Sequence, residues 1–430
     1  MGWRQVIHTR YWNDSLCGDF SERDCNAGHE GEFNGETVEK AGTLPNDAFA
    51  LRATIKLKAF GLLLLLGIIY ALRPLVVVRF GTLIAGRLGH LAANTECYLC
   101  EKDVGLSMPK RVFDIWTPGE PANSYLLKMY ERVIFTWHSS IPGILREAAK
   151  FLDWWHEHEF GNASMGRDIF NLFEQIPSHI SFTPEEEKWG EEGLLEMGIP
   201  KAAKWVCLIV RDSAYLGQDF AYHHVRDSDV KSYKKAALAL AERGYYVVRM
   251  GSVVEKQFQV EHPKIIDYAT NGMRSEFMDI YLGAHCSFCL SNATGFDAIP
   301  MVFRKPICFV NVVPVEYLQT YLKDSIAIWK RHYKNGKRMS FKEIIDSGAG
   351  RFLKSQDFMD AKIKLEDNSP NEIMEVALEM ADLIEGLCNS LDEHEFWSSY
   401  PRSDSPYTGM PLHGRINMRV GSRFLTTIGA

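Results

Sequence analysis

The chain has 430 residues, which is too long for one ordinary domain, so we expect two or three hydrophobic cores. Its composition, 46% hydrophobic and 24% charged residues, is that of a folded globular protein. The net charge of −7 argues against a dedicated nucleic-acid-binding protein, whose surface must neutralise phosphates. The net charge does not exclude a local phosphate-binding site, because a few well-placed arginines are enough to form one.

The N-terminal part predicts a flexible tail followed by a hydrophobic helix. Residues 1–50 are polar and acidic and show no apolar period, which is typical of a flexible segment. The apolar run Ala59–Leu72 is shorter than the roughly 20 residues that span a bilayer. Basic residues flank this run on both sides: Arg52, Lys56, Lys58 and Arg73. Residues 51–74 therefore predict either a helix at the membrane interface or a buried helix leading into the first strand.

Residues 75–198 predict an N-terminal α/β domain. The β-branched stretch Leu75–Arg79 reads as a buried strand, and the glycine-rich loop Phe80–His90 leads from it into a segment able to form a helix. Further along, the spacing predicts a strand at Arg111–Trp116, helices at Ala122–Trp137 and Pro142–Trp155, and an acidic helix within Pro184–Pro200.

Residues 199–366 predict a second domain in which strands and helices alternate. Buried strands are expected at Trp205–Val210, Tyr245–Met250, Cys286–Ser291 and Ile307–Asn311. Helices are expected at Ser232–Arg243, closed by Gly244, at Ser275–Ala284, capped by Ser275, and at Thr294–Phe303. Such alternation favours a parallel, doubly wound sheet, whose ligands bind beyond the carboxyl ends of the strands. Residues 367–430 predict a long helix within Asp367–Leu391 and then a strap, from Phe396, that returns to the front domain.

The nine cysteines include two pairs with the C-x-x-C spacing, Cys97/Cys100 and Cys286/Cys289. A zinc site would need thiolates on turns, whereas both pairs lie in apolar segments whose sequence is typical of strands. We therefore interpret these cysteines as buried apolar residues rather than metal ligands.

The loop Ser291–Pro300 follows one predicted strand and opens a helix, which makes it the strongest candidate for phosphate binding. Backbone N–H groups at Thr294 and Gly295 would lie at a positive helix end, with Asn292 and the hydroxyls of Ser291 and Thr294 as further polar groups. The alternative is an ordinary strand-to-helix turn that Thr294 merely caps.

A second group of candidates is basic. Arg226, in the stretch Tyr222–Asp229, could hold a diphosphate bidentately, and His224 stands two residues before it. Arg211 follows the first strand of this domain, and Arg249, with Gly251 close behind, ends the second. Like charges at one sheet edge favour a bound anion. The alternative is that Arg226 pairs with a neighbouring aspartate on the surface.

In the front domain His90 directly follows the glycine-rich turn Gly86–Gly89, where it could act as a general base in a cleft. The alternative is a structural histidine. The sequence contains no G-x-x-x-x-G-K-[ST], H-E-x-x-H or G-x-S-x-G motif, so the corresponding nucleotide, zinc-protease and hydrolase classes are not indicated.

Several blocks resemble a family of bacterial glycosyltransferases found with surface-polysaccharide genes. They are VCLIVRDSAYL, YHHVRDSD, GYYVVRMGS, DIYLGAHCSFCLSNATGFDAIP, PICFVN and, in the front domain, GRLGHLAANTECYL. The stretch His224–Asp229 is also similar to the H-x-R-x-x-D pattern of α1,6-type fucosyltransferases, in which the arginine meets the donor diphosphate. The resemblance implies GT-B architecture, with two facing Rossmann-like domains of the α/β class.

The resemblance further implies metal-independent, inverting transfer of a sugar from a nucleotide sugar to a glycan or lipid-linked acceptor. His90 is then the leading base, with Glu96 and Asp114 as rivals, and no cofactor or metal is expected. We expect a cytoplasmic protein, with peripheral membrane contact through residues 56–73. A nucleotide-sugar epimerase of the same architecture and a non-catalytic assembly protein at the membrane are the alternatives.

Overall fold

The computed structural model describes residues 60–106, 111–161, 165–211, 224–387, 394–406 and 409–428. The predicted tail, the start of the hydrophobic run and Tyr222 lie outside these ranges. The chain forms two compact units. Unit 1 comprises Met1–Phe80, Gly105–Asp114 and Ser139–Glu159, and unit 2 comprises Gly81–Val104, Ile115–His138 and Phe160–Ala430. The domain limits at residues 74, 198 and 366 stay predictions.

Unit 1 is built around aromatic side chains. Residues 60–72 are helical (α1), and the helix α4 (Ile141–Ala149) is followed by a 3-10 helix, Asp153–His158. Tyr70 of α1 meets Trp154 edge-on at a centroid distance of 5.1 Å, and Trp155 stacks on Phe80 at 5.5 Å. Among the described residues, no helix is long and apolar enough to cross a membrane.

A three-stranded sheet of order β1-β2-β3 forms the first α/β element: β1 (Val77–Leu83), β2 (Val112–Pro118) and β3 (Phe135–Thr136). The strands β2 and β3 run parallel. The first strand extends to Leu83, so the loop that we predicted from Phe80 starts later. The helix predicted over Ala122–Trp137 is also wrong in extent.

Helix α3 (Ser124–Tyr130) accounts for only half of that prediction, because β3 follows it directly. The sequence Val133-Ile-Phe-Thr136 is rich in β-branched and aromatic residues, which pack well on a pleated surface. The helix begins at Asn123, whose side chain accepts the N–H of Leu126. Helix α2 (Leu88–Asp103) contains Cys97 and Cys100, so the strand-like interpretation of that stretch is wrong, although both thiols are free and buried as expected.

The rear sheet has seven parallel strands in the order β6-β5-β4-β7-β8-β9-β13. Its strands are β4 (Trp205–Ile209), β5 (Tyr246–Met250), β6 (Ile265–Ile266), β7 (Phe288–Ser291), β8 (Ile307–Val312), β9 (Ile326–Trp329) and β13 (Arg419–Val420). The predicted α/β class with a doubly wound, Rossmann-like sheet is therefore confirmed. The strand order reverses between β4 and β7, which is where such sheets open a ligand crevice.

The connecting helices lie close to their predicted positions. They are α5 (Pro184–Glu196), α6 (Lys234–Glu242), α7 (Glu276–His285), α8 (Ala298–Val302) and α11 (Pro370–Ile384). Ser275 caps α7 as predicted, because its side chain accepts the N–H of Met278. Helix α8 is preceded by one 3-10 turn, Gly295–Asp297, which belongs to the same predicted helix.

Several elements were not predicted, among them the strands β3, β6 and β9. A small antiparallel sheet, β11 (Lys337–Arg338), β10 (Arg331–Lys334) and β12 (Ile363–Glu366), lies between β9 and α11, together with α9 (Phe341–Asp346) and α10 (Ser355–Asp360). The predicted strap contains α12 (His394–Ser399), β13 and α13 (Ser422–Thr427), and β13 joins the rear sheet beside β9. The same segment reaches back to residues 167–174, where Arg415 forms an ion pair with Glu174.

Candidate functional site

The turn after β7 is held to its neighbours by Asn292, which is almost fully buried. Its Oδ1 accepts the N–H of Arg211 at 2.8 Å, and its Nδ2 donates to the carbonyl oxygen of Arg226 at 3.0 Å. Asn292 thus joins three of the segments that we predicted from the sequence: the end of β4, the stretch around Arg226 and the turn Ser291–Gly295. The structure brings these segments together at the reversal of the strand order.

Arg226 lies against this turn. Its Nη2 donates to the carbonyl oxygen of Ala293 at 2.6 Å, and its buried Nε has no hydrogen-bond partner among the described residues. Burial, followed by the charge of Arg211, lowers the pKa of Arg226 to about 10. A guanidinium with an unused N–H beside a second arginine is stabilised by an anion, so this position suits a phosphate group.

The turn Thr294–Asp297 is a capping box. The side chain of Thr294 accepts the N–H of Phe296 at 3.2 Å, and Asp297 Oδ2 accepts the N–H of Thr294 at 2.7 Å. Thr294 therefore does cap the helix, as the alternative interpretation held, and its own N–H is occupied. Asp297 is fully buried, and burial raises its pKa to about 7. Sequence reasoning passed over Asp297, although the T-x-x-D spacing signals this motif.

Gly89, in the first turn of α2, packs directly on Gly295. A Cβ atom on Gly89 would lie 3.2 Å from both the Cα and the carbonyl oxygen of Gly295, so the two backbones touch. His90 follows Gly89, and its Nδ1 lies 3.4 Å from Asn94 Oδ1. Burial lowers the pKa of His90, which keeps the imidazole neutral near pH 7 and able to accept a proton. The predicted base and the predicted phosphate-binding turn thus start from adjoining backbones.

The two rival bases are held in buried ion pairs. In unit 1, Asp114 lies 2.8 Å from two nitrogens of Arg79, and both side chains are nearly inaccessible. Glu96 is fully buried in α2, where its Oε1 contacts Arg304 Nη2 at 2.6 Å and His179 Nδ1 at 3.2 Å. Glu96 Oε2 has no hydrogen-bond partner within the described part of the chain.

Glu96, Cys100 and His179 bring possible metal-ligand atoms within 4.8 Å of one another. However, the Arg304 guanidinium lies 2.6 Å from Glu96 and 3.6 Å from the Sγ of Cys100, so it already supplies the positive charge. Burial also raises the pKa of the Cys100 thiol, which disfavours the thiolate that a metal needs. The cluster is an ion-pair network that ties α2 to Arg304, two residues after the end of α8.

The remaining predicted residues divide into two groups. Arg211 and His224 both contact Asp227: Arg211 Nε lies 3.2 Å from Oδ1, and His224 Nδ1 lies 2.8 Å from Oδ2. Arg249 instead is completely buried and donates to Asp267 Oδ1 and to the carbonyl oxygen of Lys256, both at 3.1 Å.

The described contacts of Arg249 therefore lie on the segment after β5 and on the residue after β6, not on the turn Ser291–Gly295. Gly251 adopts φ 151°, and a Cβ there would lie 2.5 Å from the side chain of Val254. Both residues shape the segment after β5, and Ser291 likewise acts within its own turn, where its Oγ accepts the N–H of Ala293 at 3.1 Å.

A cavity of about 260 Å³ opens at the carboxyl ends of β4 and β5. Its lining is rich in carboxylates and consists of Val210, Asp227, Ser228, Asp229, Val230, Glu255, Lys256 and Asp367. Lys330, also buried, donates from Nζ to the carbonyl oxygen of Asp227 and to Asp367 Oδ1, both at 2.7 Å. Sequence reasoning missed Lys330 and Asp367, because only the folded sheet brings the ends of β9 and β12 to this edge.

No protein-family model and no curated protein matches the chain. Among solved structures, a family 9 glycosyl transferase from Veillonella parvula is 11% identical, with a TM-score of 0.42, over 71% of this chain and 97% of that one. The ADP-heptose lipopolysaccharide heptosyltransferase II of E. coli is 10% identical, with a TM-score of 0.39, over 72% and 100% of the two chains. The wall teichoic acid polymerase TagF has 9% identity, a TM-score of 0.26 and coverages of 75% and 86%. TM-scores in this range establish no shared fold, so the architecture rests on the strand order described above.

Proposed function

We propose that the chain is a glycosyltransferase that moves a sugar from a nucleotide sugar to a glycan or lipid-linked acceptor. The observation that carries the proposal is the contact between Gly89 and Gly295. It joins the start of α2, which bears His90, to the turn beside Arg226. A proton acceptor and an anion-binding turn on adjoining backbones are what transfer from a sugar diphosphate requires.

The leaving diphosphate would be stabilised by Arg226 and by the backbone N–H of Gly295, whose neighbours Thr294 and Phe296 use their own N–H groups within the turn. As the sugar–oxygen bond breaks, negative charge grows on the diphosphate, and a guanidinium already held in place meets it without reorganisation. Arg226 is fixed by its bond to Ala293, and Arg211 and Asn292 fix the loop around it. This positive charge can take the place of a metal ion, so we propose metal-independent transfer.

His90 would accept the proton of the acceptor hydroxyl as the oxygen attacks the sugar carbon. Its lowered pKa keeps the neutral base available at neutral pH. Attack from the side opposite the leaving diphosphate inverts the configuration. Glu96 and Asp114 are weaker candidates, since each already neutralises an arginine.

The nucleoside would occupy the cavity beyond β4 and β5. Carboxylates there can accept hydrogen bonds from ribose hydroxyls, whereas they repel phosphates, which favours the nucleoside in the cavity and the diphosphate at Arg226. Asp227 connects the two parts, because it lines the cavity and contacts both Arg211 and His224. We place the enzyme in the cytoplasm, peripheral to the inner face of the membrane. The local likeness to α1,6-type fucosyltransferases around Arg226 stays a prediction.

The test is a panel of nucleotide sugars offered to the purified chain with and without candidate acceptors. We expect at least one of them to raise the melting temperature, and we expect release of free nucleoside diphosphate that increases with acceptor. Binding with formation of a new nucleotide sugar, and no acceptor requirement, would identify an epimerase instead. Absence of any thermal shift with nucleotide sugars and nucleotides would contradict the proposal and favour a non-catalytic protein.

A further inference from the structure

Helix α1 in unit 1 carries two apolar faces, and the described residues cover only one of them. Leu66 and Ile69 point inward and are almost fully buried. The outward stripe consists of Phe60, Leu63, Leu64 and Ile68, whose exposed fractions are 65%, 67%, 56% and 48%. These positions recur at helical spacing, so they form one continuous row. A helix that is apolar all round is normally buried on every side or in contact with lipid.

The charged residues that flank this helix in the sequence are basic. Residues 48–95 contain no aspartate or glutamate, although the chain as a whole is acidic. The sequence that flanks the helix contains Arg52, Lys56, Lys58 and Arg73, whereas Arg79 is buried in its ion pair with Asp114. An apolar stripe within a basic, acid-free stretch matches the chemistry of an anionic lipid surface, which offers hydrocarbon below a layer of negative charge.

Unit 1 as a whole is rich in exposed apolar side chains. About half of the exposed large apolar side chains in the described residues belong to unit 1, although it is much the smaller unit. After α4, Phe151 is 82% exposed, and the ammonium of Lys150 lies 5.3 Å from its ring centroid. An aromatic ring beside a lysine is suited to the headgroup level of a bilayer, where the amine stays in water.

We propose that the outward stripe of α1 docks on an anionic lipid bilayer, so that the protein lies on the membrane surface. This deepens the proposed function by naming the partner of the membrane contact and the element that makes it. The inward face of α1 stays on unit 1, where Tyr70 contacts Trp154 and Arg73 forms an ion pair with Glu157 at 2.7 Å. The helix therefore enters the interface with one side and remains attached to the protein with the other.

The test is flotation of the full chain with vesicles, in the absence of nucleotide sugar. We expect the protein to float with phosphatidylcholine–phosphatidylglycerol vesicles and much less with pure phosphatidylcholine. The double variant Leu63→Glu/Leu64→Glu should lower the bound-to-free ratio about tenfold or more, a change of at least 1.4 kcal/mol. The matched control is Leu195→Glu/Leu387→Glu in unit 2, whose side chains are 59% and 66% exposed and which should float like the wild type.

Charge is tested separately by Lys56→Gln/Lys58→Gln, which should weaken flotation several-fold and reduce its dependence on salt. Equal flotation of the Leu63/Leu64 variant and the wild type would overturn the proposal. So would a wild type that does not float but forms a dimer that this variant abolishes, because the stripe then covers a second copy. Sugar transfer is measured in a separate assay. A protein that floats but transfers no sugar would support the docking surface and contradict the proposed enzyme activity. A protein that transfers sugar but does not float would support the enzyme activity and contradict the docking surface.

Discussion

Gly89 and Gly295 are in backbone contact, with 3.2 Å between the Cα of Gly295 and the place that a Cβ would take on Gly89. This contact sets how closely the start of α2 approaches the turn after β7. The two segments are about two hundred residues apart in sequence. The start of α2 carries the proposed base, and the turn after β7 lies beside the proposed diphosphate site. The distance between these two segments should therefore control the rate of sugar transfer.

Replacing Gly89 by Ala should therefore separate the two backbones by a few tenths of an ångström. Alanine favours a helix by up to about 1 kcal/mol, so the melting temperature should not fall much. Small misplacements at a reacting centre are costly, and we expect kcat/KM to fall about tenfold. Gly86→Ala is the matched control, because a Cβ there meets nothing closer than 3.6 Å. Equal activity of both variants would show that the contact does not set the geometry.

Replacing His90 by Gln should lower kcat by about 10²–10⁴-fold, which is the usual contribution of a general base. In the wild type, kcat/KM should rise with pH through the lowered pKa of His90, with an inflection below 6.5, and then level off. The variant should lose that acidic limb while nucleotide affinity and melting temperature stay unchanged. If the variant had a normal kcat, or if its kcat/KM still rose with pH in the acidic range as in the wild type, His90 would be excluded as the base.

Asp297 should make stability depend on pH. Its folded-state pKa of about 7 lies above the ordinary value of 3.8, so the folded protein binds more protons between these values. The contribution of Asp297 to the unfolding free energy is therefore fully present below pH 3.8, and it is lost as the pH rises through 7. Between pH 5 and pH 8, the unfolding free energy of the Asp297→Asn variant should therefore rise by about 1–3 kcal/mol relative to that of the wild type, as measured by urea unfolding. The exposed Asp346→Asn is the control, and parallel curves for all three proteins would refute the assignment.

Glu96 should prove structural. Glu96→Ala leaves the Arg304 guanidinium, which is only 20% exposed, without its carboxylate, and this should cost about 3–5 kcal/mol of unfolding free energy. The double variant Glu96→Met/Arg304→Met should recover much of that loss, because it removes both charges. In each variant, the folded fraction should keep its kcat. A stable Glu96→Gln protein without activity would instead make Glu96 the base.

The rear half of the chain was predictable because its signals are local. The strands β4, β5, β7 and β8 are short apolar runs between helix caps, and Ser275 and Gly244 mark helix limits that the structure reproduces. The front half was less predictable. The stretch after Tyr130 turns from helix to strand through pairing with β2, and such pairing leaves no local trace in the sequence.

Some residues of the candidate site were predictable from local sequence signals, and others were not. The turn at Thr294 and the stretch around Arg226 could be found from residue types and their position after strands. The burial of Arg249 could not, because Asp267 and the carbonyl of Lys256 reach it only in the folded segment after β5. Asp367 lines the cavity, and Lys330 bonds to Asp367 and to Asp227 in its lining. Both residues follow strands that are distant in sequence from the rest of the lining, so no spacing rule points to them.

The most direct test of the account is the affinity for nucleoside diphosphate, measured by calorimetry for the wild type, Arg226→Ala and Arg423→Ala. Arg226 should donate charged hydrogen bonds to the diphosphate, and their loss should weaken binding about 10–100-fold. Arg423, an exposed arginine paired with Glu375 on α11, should be replaceable without effect. Equal affinities for all three proteins would contradict the central claim that the diphosphate binds between Arg226 and the turn at Gly295.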